Sequence, residues 1–172
     1  KVSPAEMTAR GADALDILFL ANVGEEEKPL AKIASGGELS RIALAIKSVA
    51  AAGDSSVGSM VFDEIDTGIG GKTAQMVAEC IAAVASRKQV LCITHLPQIA
   101  CMADGHFYLS KASEKGKTTT NVRRLTAAEQ VKEIARMASG MDVSAASLDN
   151  AREMICFAAA KKKELRSGKK RL

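Results

Sequence analysis

The sequence predicts an α/β fold with a mainly parallel sheet, flanking helices and a terminal hairpin. Three observations carry that expectation. Short apolar runs stand at 60–62 and 89–94, segments of helical period lie around them, and the order along the chain is strand, helix, strand, helix. The 172 residues are enough for one domain with a real core. Forty-seven per cent are apolar and only 3% aromatic, with no Trp, so Ala and branched aliphatics must build the interior. That composition suits helices packed closely on a sheet.

The elements follow in order. In residues 13–21, DALDILFLA, a period of two puts Leu15, Ile17, Phe19 and Ala21 on one side, as in a strand. NVGEEEKP is a polar loop. Leu39, Ile42, Ala43, Ile46, Val49 and Ala50 then fall three and four apart, which predicts an amphipathic helix ending near Gly53. Ser35 and Glu38 form the S-x-x-E pattern of a capping box at its start. GDSSVGS is a loop, and MVF is a short strand running into Asp63 and Glu64, followed by the glycine-rich turn TGIGG. A second helix is expected over about 72–86, with Val77, Cys80, Ile81 and Val84 inward. QVLCIT reads as a strand buried on both faces, ending at His95. HFYLS and TTNVRRL, joined by ASEKGK, predict a hairpin. Val131, Ile134, Ala135 and Ala138 mark the next helix, and a last one runs from about Ser147 into the basic end. No internal repeat is visible.

Charge is unevenly spread. The net charge is +4, and residues 161–172 hold seven Lys or Arg against Glu164 alone, giving +6 there and −2 elsewhere. The body is therefore not a basic nucleic-acid-binding surface, and the tail reads as a solvated end. None of Cys80, Cys92, Cys101 and Cys156 pairs at the spacing of a zinc knuckle or redox motif, so they read as reduced thiols of a cytosolic protein. No apolar run reaches the roughly 18 residues of a membrane span. There is no secretory signal, and the chain opens at Lys1 without an initiator Met, which reads as a piece of a longer protein.

Three motifs carry chemistry. MVFDE is an apolar strand ending in two carboxylates, which places Asp63 and Glu64 in the crevice at the carboxyl edge of a sheet. An Asp there can hold Mg²⁺ through water, and the neighbouring Glu can take a proton from an attacking water. In ASGGELSR, residues 34–41, Ser35, Gly36 and Gly37 open a helix with free backbone N–H groups and a positive dipole end, a setting that suits a phosphate. A capping box uses the same geometry. THLPQ sets His95 at the end of the second buried strand, and parallel neighbours would bring His95, Asp63 and Glu64 to one edge. His106 lacks such a context. GIGGKTA imitates a phosphate-binding loop, but G-x-x-x-x-G-K-S/T would need glycine where Asp66 stands. The chain contains no true Walker A sequence.

In this order, ASGGELSR, VFDEIDTGIGG and CITHLPQIA resemble the carboxyl-terminal head segment of the RecN family of SMC-like DNA repair ATPases, over about 11–157. The resemblance implies the carboxyl-terminal lobe of an ABC-type ATPase head, a P-loop NTPase, over 1–160, with 161–172 as a basic tail. Walker A and the Q-loop would come from an amino-terminal lobe joined through a long coiled coil. Two heads would sandwich ATP as a homodimer. By position, Asp63 would support Mg²⁺ through water, Glu64 would be the general base and His95 would contact the γ-phosphate. Ser35, Gly36, Gly37 and Glu38 would serve the ATP of the partner head, and the D-loop from Asp66 to Gly70 would touch that head. The family acts on DNA, in double-strand break repair and recombination, in the bacterial cytoplasm at the nucleoid and without a membrane partner. The nucleotide-binding half of an ABC transporter is the competing reading, disfavoured by GELSR where transporters carry Gln. An ATP-switched clamp with little turnover is a third. With Walker A missing, the chain alone is expected to be inactive. The edge of QVLCIT is expected to lose its partner strand, and the chain to be ordered only with something covering that edge: the amino-terminal lobe, a second copy or a rearranged segment.

Overall fold

The computed structural model describes residues 1–9, 11–20, 24, 26–32, 36–50, 58–114, 117–140 and 142–167. Its elements are β1 (Val2–Thr8), β2 (Gly11–Leu15), β3 (Leu18–Phe19), β4 (Lys28–Pro29), α1 (Gly36–Ala50), β5 (Ser59–Phe62), α2 (Gly71–Ala85), β6 (Gln89–Cys92), α3 (Pro97–Ala100), β7 (Phe107–Glu114), β8 (Lys117–Arg124), α4 (Ala127–Ser139) and α5 (Ala145–Arg166). The α/β class is the expected one. The parallel sheet is narrower than expected, because among the described residues only β5 and β6 pair in parallel, while β1–β2, β3–β4 and β7–β8 are antiparallel pairs.

The expected strand over 13–21 is split. The β2 strand pairs with β1, and the chain changes partner at Asp16, whose amide donates to the Lys1 carbonyl at 2.9 Å while its own carbonyl accepts from the Lys1 amino group at 2.8 Å. Leu18 and Phe19 then pair with Pro29 and Lys28. Ala21 lies outside the described residues, as do Ser35, Gly53 and the centre of the ASEKGK turn. The β1 strand was not legible, since VSPAEMT has no apolar alternation to mark it.

The core lies between the inner face of β5–β6 and helices α2, α3, α4 and α5. Phe62, Val77, Ala78, Ile81, Val84, Ile99, Ile134, Ala135, Ala151 and Ala158 are all buried there. Alanines at these contacts let helices approach closely, which is how a chain with few aromatics fills its interior. Ile65, fully buried, worth about 1.5–3 kcal/mol of apolar transfer, anchors the turn after β5. Helix α4 starts on a capping box. There the Thr126 amide donates to Glu129 Oε2 at 2.8 Å and the Glu129 amide donates to Thr126 Oγ1 at 3.4 Å.

One helical expectation changes. On α1 the buried positions are Gly37 and Leu44, while Leu39, Ala43 and Ile46 are exposed. This helix is apolar on more than one side, and α2 covers only the side bearing Leu44. As expected, the last helix, α5, runs on into the basic end, as far as Arg166. Lys162 Nζ and Arg166 Nη2 meet Asp104 at 2.9 and 2.7 Å, and Lys161 Nζ lies 3.5 Å from Glu79. The first half of the basic end is thus pinned to the body, and residues 168–172 lie outside the described residues. Of the thiols, Cys101 is buried, Cys80 and Cys92 half-buried and Cys156 exposed, all four free. Burial pushes Cys92 and Cys101 up to about 11, which keeps them unreactive.

The strand 89–92 is not buried on both faces. Val61 is 66% exposed, Leu91 50% and Ile93 58%, on the face turned away from the helices. The Gln89 and Ile93 amides donate to Gly58 and Phe62, so the alternation of a strand turns the Val90 and Cys92 amides to the opposite edge. No strand pairs with that edge among the described residues. In the monomeric chain, Val90 and Cys92 are expected to exchange amide hydrogen at least about tenfold faster than Ile93. Equal, full protection of all three in a dilute monomer would refute the open edge.

Candidate functional site at the carboxyl edge of the parallel strands

Because Phe62 and Cys92 are register partners, β5 and β6 end side by side, and the chain leaves both strands at the same edge. Asp63 and Glu64 follow one strand, Thr94 and His95 the other. The expected gathering of the two carboxylates and the histidine at one edge is what the fold produces. Ligand crevices of open α/β sheets form at this place.

Asp63 is exposed, and its Oδ1 accepts the Glu64 amide at 2.9 Å. Glu64 is exposed too and holds φ at 57°, the left-handed region that a residue with a Cβ enters at about 1–2 kcal/mol. Such backbone strain needs surrounding structure to hold it. Two constraints are at hand: Ile65 is locked in the core just after Glu64, and the Glu64 carboxylate reaches the start of α1. A Cβ on Gly36 would stand only 2.8 Å from Glu64 Oε2.

Helix α1 begins directly over this turn. Ser40 Oγ donates to the Asp63 carbonyl at 3.2 Å, and Arg41 Nη1 donates to the carbonyls of Ile65 at 3.3 Å and Thr67 at 2.9 Å. A Cβ on Gly37 would lie 3.0 Å from the Thr67 carbonyl oxygen. The glycine at 37 therefore has a packing reason within the chain, besides any phosphate it receives. Ser40 and Arg41 belong to the ASGGELSR motif, but their part in tying it to 63–67 was not read from the sequence. The signal for it was present only as two polar residues on a helix whose neighbours are apolar.

Asp66 departs from its expected place. It is 4% exposed and points inward, where a surface position facing another subunit was anticipated. Its Oδ2 accepts from Thr94 Oγ1 at 2.6 Å and from the His95 amide at 2.9 Å, and His95 Nδ1 stands 3.0 Å away. Burial pushes the Asp66 carboxyl up. The Thr94 hydroxyl, the His95 amide and the His95 ring outweigh it and hold the group below the usual carboxylate value. The His95 side chain itself is 73% exposed. Thr94 Oγ1 also accepts the Leu96 amide at 3.0 Å, and Pro97 at the first position of α3 stops the loop. The exposed part of the turn is Thr67, Gly68 and Gly70, with Gly68 at φ 73°. Glu38, half-buried on α1, has a partner of its own. His106, by contrast, lies half-buried away from this edge, its pKa lowered by burial.

Fold and edge together define an α/β protein whose site is assembled where two parallel strands end. The chain is 47% identical over 152 residues to the DNA repair protein RecN of Bacillus subtilis, 88% of this chain and 26% of that protein. It is 49% identical over 145 residues to RecN of Treponema pallidum, 84% of this chain and 25% of that one. For RecN of Deinococcus radiodurans the figures are 48% over 151 residues, 88% and 26%. The chain belongs to the RecN family, and it spans about a quarter of the length of the curated relatives it matches. No protein-family model matches it. It also resembles a solved chain from work on ATP-driven dimerization and DNA-stimulated activation of SMC ATPases, at 20% identity and a TM-score of 0.46, covering 73% of this chain and 81% of that one.

Proposed function

We propose that this chain is the carboxyl-terminal half of the ATP-hydrolysing head of a RecN-type protein that acts in repair of DNA double-strand breaks and recombination in the bacterial cytoplasm. The observation that carries the reading is the meeting of Asp63, Glu64 and His95 at one strand edge, under a helix that starts on Gly36 and Gly37. The residues fit the ligands of such a head. Asp63 is an exposed strand-end carboxylate, suited to Mg²⁺ held through water, since that ion keeps several waters and completes its shell with phosphate oxygens. ATP supplies the phosphoanhydride bond that is broken.

The remaining roles belong to the chain's own groups. Glu64 takes the proton of the attacking water, and its strained turn fixes where the carboxylate stands. His95 presents its ring to the γ-phosphate. Ser35, Gly36, Gly37 and Glu38 face the nucleotide of a second head, and the exposed turn from Thr67 to Gly70 contacts that head. The chain's own Walker A is supplied by the amino-terminal lobe.

The paired-head reading is tested on the full-length protein with Ser35→Asp, which sets a carboxylate where a phosphate is to bind and remains a residue type that caps a helix start. ATP-driven dimerisation, followed by light scattering, is expected to weaken at least about tenfold, because like charges brought together cost several kcal/mol. Binding of ATP by single heads should persist. Dimerisation at the wild-type ATP concentration would remove the signature role.

A further inference from the structure

Two segments of the site serve different nucleotides in the proposed head pair, and one side chain joins them. The start of α1 serves the ATP of the second head, while the turn after β5 carries Glu64 for the chain's own. Arg41 stands four positions after Gly37, one helical turn on, and so lies on the same face of α1. From there Nη1 donates to the Ile65 carbonyl at 3.3 Å and the Thr67 carbonyl at 2.9 Å. The Thr67 amide in turn donates to the Glu64 carbonyl at 3.1 Å, which completes a path from helix to base. Arg41 is half-buried, and among the described residues no carboxylate forms an ion pair with it. A cation that passes over Asp63, Glu64 and Asp66 for two carbonyls of their own turn holds backbone in place. Gly37 makes the room: a Cβ there would stand 3.1 Å from Arg41 Nη1 and 3.0 Å from the Thr67 carbonyl oxygen.

We propose that Arg41 is a positioning residue for both nucleotide sites of a head pair. It sets Glu64 against the chain's own ATP and the start of α1 against the ATP of the second head, so the two sites are coupled. The inference deepens the ATPase reading and rests on it for its consequence, but not for its geometry. Coupling needs an element whose arrangement both sites bias. The turn 64–67 is that element, gripped by Arg41 from α1 and by the fully buried Ile65 from the core. Farther along, α1 meets the body through Leu44 against α2, so a shift of its first turn reaches Glu64 through Arg41.

The test uses full-length chains bearing two different tags, so that dimers with one copy of each are isolated. Glu64→Gln silences one head of every dimer, and Arg41→Lys is placed either in the working head or in the silenced one. Lys keeps the charge and most of the stem, but its shorter side chain with a single ammonium does not span the two carbonyls. In the working head the substitution should lower kcat roughly 10- to 100-fold, the cost of a misplaced reacting group. In the silenced head it should still lower turnover by the unaltered working head at least about fivefold. KM for ATP should change by no more than about threefold in either arrangement. Loss confined to one arrangement, or no loss in either, would overturn the proposal. A parallel fall of ATP binding and melting temperature would overturn it too, leaving Arg41 a purely structural residue.

Hydrogen exchange separates failure of this proposal from failure of the ATPase reading. In the full-length protein, Arg41→Lys should speed exchange of the Thr67 amide at least about fivefold, because its bond to Glu64 loses the brace on the turn. The amides of Val77 to Ile81, inside α2, should exchange as in the wild type. An unchanged Thr67 amide would overturn the link itself. If dimers with Glu64→Gln in both heads turn over at the wild-type rate, the ATPase reading fails, while the exchange measurement still decides whether Arg41 holds the turn.

Discussion

In a full-length protein carrying this segment, Glu64→Gln is expected to slow ATP hydrolysis by about 10²–10⁴-fold while ATP still binds. The amide keeps the shape of the carboxylate and cannot accept the proton of the attacking water. Shape matters here, because the Glu64 side chain lies against Gly36 and its backbone sits at φ 57° between Asp63 and the buried Ile65. Replacing it by Gln disturbs none of these contacts, so the loss should appear in kcat and not in stability. Nucleotide-bound head dimers should accumulate in this variant, since the step that ends their life is stalled. Rapid-quench measurement of phosphate release, with sizing in ATP, checks both expectations. Turnover at the wild-type rate would remove Glu64 from the base role.

The 172-residue chain on its own is expected to show no ATP hydrolysis above the uncatalysed background. Its only glycine-rich loop followed by Lys and Thr, residues 68–73, has Asp66 where the phosphate-binding pattern requires glycine, and that Asp is committed to Thr94 and His95. Lys72 and Thr73 are instead exposed residues of the first turn of α2. Without a cradle for the β-phosphate, one carboxylate holding Mg²⁺ through water gives little affinity. Release of phosphate by the purified chain, lost in Glu64→Ala, would restore residues 68–73 as a nucleotide site. Activity regained on adding an amino-terminal lobe would support the division of the head into two halves.

Much of the edge was legible in the sequence because it depends on short-range pattern. An apolar triplet before two carboxylates and an apolar run before Thr94 and His95 fix where two strands stop, and parallel pairing then does the rest. Helix α2 was also legible, since Val77, Ile81 and Val84 keep a single helical stripe. Helix α1 was read correctly as a helix but given the wrong buried face. Leu39, Ala43, Leu44 and Ile46 surround much of its circumference, and periodicity cannot tell which side a neighbour will cover.

What the sequence by itself determined are the residue types that can do phosphate chemistry, their order, and their attachment to strand ends and a helix start. Only the tertiary structure decided which way Asp66 turns. Nothing in DEIDTG distinguishes a surface Asp from a buried one; the outcome depends on Thr94 and His95, 28 and 29 positions further on, arriving with two donors at the same oxygen and an imidazole beside it. The same holds for Ser40 and Arg41, which meet carbonyls 23 to 26 residues away. Local patterns report which backbone an element prefers. Side-chain partners distant in the chain are chosen by how the elements pack, because a buried charge is tolerated only where the packing delivers its donors.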